Sequence, residues 1–128
     1  MFLGQIVQSL KQSKKLSMSS GLQIRQYHQI ADIADSILNI DKLDIKGVVQ
    51  LNGKVGLRLI DIARNIYEHF DQMDLLQVDQ NLMPKHEIYS NLYEYDPKLW
   101  RTTPREGLLP ILTYIFSLVE SNSASRHN

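Results

Sequence analysis

The sequence predicts a helix-rich α+β fold: two main helices packed on one face of a small antiparallel sheet, with one extra helix after the first hairpin. Three observations carry this. Apolar residues recur at steps of three and four from about Tyr27 to Leu38 and again near the C-terminus, the mark of amphipathic helices. Between them the period changes to two on either side of Asn52-Gly53, as in a β-hairpin. The chain has 128 residues and 14.8 kDa, with 43% hydrophobic and 22% charged residues, which suits one ordinary domain with a buried core and leaves no room for two.

The elements follow in order. Phe2, Leu3, Ile6, Val7 and Leu10 share helical spacing while Gln8, Lys11 and Lys15 fall on other faces, so the chain opens with a basic amphipathic helix. The Ser-rich stretch from Ser17 to Gly21 follows it. From Tyr27, the steps Ile30, Ile33, Ala34, Ile37, Leu38 predict a helix of three to four turns with Asp32 and Asp35 on its outer face. Ile45, Val49 and Leu51, then Val55, Leu57 and Leu59, predict a hairpin over about residues 45–60, with Asn52-Gly53 supplying the positive-φ positions of a type I′ turn. Leu59, Ile62, Ala63, Ile66, Phe70 and Met73 return to helical spacing and predict a helix over roughly 61–75. Tyr89, Leu92, Tyr93 and Tyr95 suggest one or two short strands after Pro84. Thr103-Pro104-Arg105-Glu106 has capping-box spacing with Pro at the first helical position, so a last helix is expected from there to about Ser121. Residues 28–121 are thus read as the globular domain and 122–128 as a flexible tail.

Composition excludes several classes of function. Cysteine is absent, which removes disulfide scaffolds, thiolate metal sites and Cys nucleophiles. The apolar run Leu108 to Val119 is broken by Pro110, Thr113 and Ser117 and falls short of the roughly 20 residues a membrane-spanning helix needs. Fourteen basic and 14 acidic residues give zero formal charge, against the broad positive field of a general nucleic-acid binder. That balance is uneven along the chain. Residues 1–31 carry Lys11, Lys14, Lys15 and Arg25 and no acid. An amphipathic, Ser-rich, acid-free start has the composition of a mitochondrial transit peptide, and Arg25-Gln26-Tyr27 matches a matrix-protease pattern with cleavage near Tyr27. Residues 1–27 are therefore read either as a targeting segment, placing the protein in the mitochondrial matrix or a mitochondrion-derived organelle, or as an ordinary first helix with a linker in a cytoplasmic protein.

Few motifs carry chemistry. The four histidines, His28, His69, His86 and His127, show no metal-ligand spacing, and no phosphate-binding glycine loop precedes a helix. Arg64-Asn65-Ile66-Tyr67-Glu68-His69 resembles the Arg-Asn-x-x-x-His signature of HEPN-family ribonucleases. That resemblance implies an RNA-cleaving or RNA-binding helical domain, with Arg64 on the phosphate and His69 in acid–base work.

A second, dispersed pattern runs along most of the chain. Tyr27-His28-Gln29-Ile30-Ala31-Asp32 resembles the opening of the first helix of frataxins, and Gly47-Val48-Val49-Gln50-Leu51 is similar to that family's first strand. Val78, Pro84 and Ile88-Tyr89, with Tyr89 where Trp is usual, then Tyr95-Asp96, Trp100 and Leu108-Leu109, continue the order. The resemblance implies a non-redox accessory protein that regulates iron–sulfur cluster assembly. Asp32, Asp35, Asp41 and Asp44 would hold iron weakly, and Ile88, Tyr89 and Trp100 would dock the sheet onto a cysteine desulfurase and an iron–sulfur scaffold protein. Read without it, the four acids are a solvated helix face and a following turn, and the aromatic residues are either an exposed patch or core. A ligand-free protein-interaction adaptor is the third reading.

Overall fold

A computed structural model describes residues 2–81 and 94–125, with side chains of the last helix described as far as Glu120. The elements run α1 (Phe2–Gln12), β1 (Leu16–Met18), β2 (Ile24–Arg25), α2 (Ile30–Lys42), β3 (Leu57–Arg58), α3 (Leu59–His69), a 3₁₀ turn (Met73–Leu75), β4 (Leu76–Val78) and α4 (Leu108–Ser125). This is a helix-rich α+β protein. Its strands form two ribbons: β1 runs parallel to β4 with Leu16 opposite Leu76, and β2 runs antiparallel to β3 with Ile24 opposite Arg58.

The core lies among α1, α3 and α4. Ile6, Val7 and Leu10 meet Ile62, Ala63, Ile66 and Tyr67, and the two sets close on Ile111, Ile115 and Val119. Burial of this kind is worth about 1.5–3 kcal/mol per large apolar side chain, and no helix this short is stable without it. The Tyr67 hydroxyl, carried into the core, is satisfied. Tyr67 Oη donates to Ser9 Oγ at 2.7 Å, and Ser9 Oγ donates in turn to the Lys14 carbonyl. Burial pushes the Tyr67 hydroxyl above its ordinary range, so the ring stays neutral and the bond stays a donor–acceptor pair.

The hairpin expected over residues 45–60 is not formed. Only Leu57–Arg58 is extended in a ladder, and its partner is β2, not residues 45–51. Gly53 has no positive φ, as a type I′ turn would require. The reason is competition for the backbone. Gly53 exchanges two hydrogen bonds of 3.1 Å with the Gln26 side chain, Lys54 N–H donates to Glu106 Oε2 at 2.8 Å, and the Asn52 carbonyl accepts from Trp100 Nε1 at 2.9 Å. Groups that a hairpin would pair across strands are taken by side chains from distant parts of the chain. Glycine is needed here for space, because a Cβ at Gly53 would run into the Glu106 carboxylate and the His28 ring.

Two helix ends also move. The helix expected over 61–75 is α3, which stops at His69; Asp71 takes φ 53°, and the chain resumes as the 3₁₀ turn. The last helix starts at Leu108, not at the Thr103 capping box, because Glu106 is spent on the 54–55 backbone and Gly107 turns at φ 95°. Pro110 then sits in the first turn of α4, where a missing N–H costs nothing. The strands expected near Tyr89 and Tyr93 lie outside the described residues, and Tyr95 is not in a strand. No described helix is long and apolar enough to cross a membrane.

Candidate interaction face

Helix α2 stands apart from the core, and its residues are arranged the opposite way to the expectation. Its buried residues are Asp32 and Ser36. One apolar face of it turns out, with Ile30 84% exposed, Ile37 58% and Leu38 59%, and Ala34 exposed between them, while Ile33 and Ile40 are half-buried. At about 100° per residue, Asp32, Ser36 and Asn39 make one narrow stripe, and Ile30, Ala34, Ile37 and Asp41 make another on the opposite side.

What turns the helix is the segment that precedes α4. Residues 98–107 form no helix or ladder, so their backbone groups need other partners. The polar stripe of α2 supplies them. Asn39 Nδ2 donates to the Lys98 carbonyl at 3.0 Å, Ser36 Oγ accepts from Arg101 N–H at 3.4 Å, and Asp32 Oδ2 accepts from Arg105 N–H at 3.0 Å. Arg105 adds its guanidinium to the same carboxylate, Nη2 to Oδ1 at 3.0 Å. The side-chain hydrogen bond from Arg105 holds the Asp32 carboxyl below its usual range, against the opposing effect of burial. Arg101 reaches Asp35 at 3.7 Å across an exposed pair, which is worth little by itself.

Next to the N-terminus of α2 sits a second tie. Trp100 is 5% exposed, its ring 5.0 Å from the His28 ring, and Glu106 Oε1 lies 3.6 Å from His28 Nδ1. The two ring nitrogens of His28 have no hydrogen-bond partner among the described residues. Trp100, Glu106 and Gln26 together clamp the 52–55 loop beside the start of α2.

The residues singled out by sequence are dispersed. Asp32 is buried and bound to Arg105, Asp35 faces Arg101, and Asp41 and Asp44 are exposed at the far end of α2 and just past it. Among the described residues no three acidic or histidine side chains gather as metal ligands. Of the docking set, Trp100 is a core residue, and Ile88 and Tyr89 lie outside the described residues. Arg64 is exposed on α3, and Asn65 Nδ2 bonds back to the Asp61 carbonyl at 2.7 Å. His69 stacks on Phe116 with ring centroids 3.7 Å apart and planes at 15°. Ser36 and Asn39 carry no motif in the sequence, and Glu106 reads there only as part of a helix cap. The signal for Ser36 and Asn39 is the polar stripe 32, 36, 39 at helical spacing, which reads as a solvated face until something polar is known to lie against it.

Compared with family models, with curated proteins and with solved structures, the chain has no match in any of the three.

Proposed function

We propose that this protein is a non-catalytic interaction module, an adaptor, whose contact face is the outward apolar stripe of α2. The observation that carries the reading is the inversion of that helix: a stripe of Ile30, Ala34, Ile37 and Leu38 is offered to solvent by a helix anchored through its polar side. Contiguous apolar surface on a small domain marks a contact site, whereas singly scattered apolar residues do not. Leu43, 46% exposed, and Ile45, 41%, continue the same character past the helix end. The other two readings find less support in the geometry. Iron held by the four aspartates would have to take Asp32 from Arg105, and in the Arg-Asn-x-x-x-His pattern Asn65 spends its amide on the Asp61 carbonyl.

The test uses the absence of native cysteine. A single cysteine in place of Ile37 should react with a maleimide at close to the rate of a free thiol in the dilute, folded chain, while one in place of Ile66 should react only on unfolding. Bis-ANS fluorescence should fall when Ile30, Ile37 and Leu38 are changed together to Gln. A protected cysteine at position 37 in a monomeric chain would refute the exposed face and the adaptor reading with it.

A further inference from the structure

We propose that the outward stripe of α2 pairs with the same stripe of a second copy of this chain, antiparallel about a two-fold axis that passes between residues 35 and 36. The inference rests on the reading of α2 as a contact face and names its occupant. Ile30, Ala34, Ile37 and Asp41 are spaced four, three and four apart, a pattern that reads the same in both directions. A two-fold interface requires that self-complementarity, since each residue must meet its counterpart's neighbour twice. In the register where positions sum to 71, Ile37 of each copy seats on Ala34 of the other. A large side chain then meets a small one, and the helices can approach closely. Ile30 meets Asp41 at both ends.

Charge fits the same register. The N-cap residue of α2, Gln29, makes no side-chain capping bond; Asp32 N–H turns back onto the Gln29 carbonyl at 3.0 Å, and the positive end of the helix dipole emerges at Ile30 and Ala31. Asp41 lies on the outward stripe one helix length away, and the antiparallel pairing brings each Asp41 carboxylate to the uncapped start of the other α2. Zero net charge on the chain removes the general repulsion that would oppose such a pair.

The experiment is sedimentation equilibrium of the full chain over a wide concentration range, with three variants. The wild type should move from one to two chains as concentration rises. Ile37→Glu should weaken the dimer at least a hundredfold, and Asp41→Lys, at an exposed helix end where folding is not in question, about tenfold through the loss of two dipole contacts. On mild oxidation, an equal mixture of Ala34→Cys and Ile37→Cys chains should give the mixed disulfide in preference to either symmetric one. A dimer unmoved by Ile37→Glu and Asp41→Lys, or a mixture that gives no preferred 34–37 bond, overturns the pairing. A chain that stays monomeric at every concentration while cysteine 37 labels freely also overturns the pairing, but it leaves the contact-face reading intact. A monomer in which cysteine 37 is protected overturns both.

Discussion

Asp32 on α2 is buried and accepts three hydrogen bonds from Arg105, two from the side chain and one from the backbone. The carboxylate is buried but the Arg105 side chain is 56% exposed, so solvent screens the pair and losing its charge-assisted hydrogen bonds costs about 1 kcal/mol. Asp32→Asn should therefore lower stability by about that much near neutral pH in urea unfolding. The pH dependence follows from the depressed carboxyl. With its folded pKa below the unfolded value of about 4, the ionised carboxylate favours the folded state at all higher pH. That contribution fades as pH falls below about 4 and through the folded pKa. The gap between wild type and Asp32→Asn should therefore be constant from pH 7 to about 5 and shrink below about 4. A gap that persists unchanged in acid would show that Arg105 is not what Asp32 contributes.

At the scale of elements, α2 and the 45–60 region separate two kinds of information. The period of α2 was legible, because a 3.6-residue repeat of apolar side chains survives any rotation of the helix about its axis. Which stripe turns inward was not, since that depended on the unpaired backbone of residues 98–105, sixty to seventy positions away. The consequence is measurable. Ile66 is fully buried, so Ile66→Ala should cost about 2–5 kcal/mol, whereas Ile37→Ala, measured at a dilution where the chain is monomeric, should fall within about 0.5 kcal/mol of wild type. Equal losses would mean that α2 faces the core after all. The hairpin failed for a related reason. Asn52-Gly53 is a strong local turn signal, but a two-stranded ribbon standing alone is marginal, and Gln26, Glu106 and Trp100 offered its backbone better partners.

For the whole molecule, the basic opening segment carries structural weight. Ile6, Val7 and Leu10 of α1 close the core against α3 and α4, β1 pairs with β4, and β2 gives β3 its only ladder among the described residues. A chain that starts at His28 loses all three contributions at once. It should show no cooperative thermal transition by circular dichroism, in contrast to the full chain. A sharp transition retained by residues 28–128 would mean that the first 27 residues are dispensable to the fold, as cleavage near Tyr27 would require.

The sequence by itself determined the class of this protein and the places of its helices, because composition and hydrophobic period are local properties that every compact arrangement must respect. It also determined the spacing on which the self-pairing of α2 depends. Only the tertiary structure decided that Asp32, Ser36 and Asn39 point inward, that Glu106 serves the 54–55 backbone instead of a helix cap, and that Trp100 is core. Each of these turns on hydrogen-bonding groups brought together from far along the chain. Buried backbone must find partners wherever they lie, and a one-dimensional pattern does not say which polar residues will be near enough to provide them.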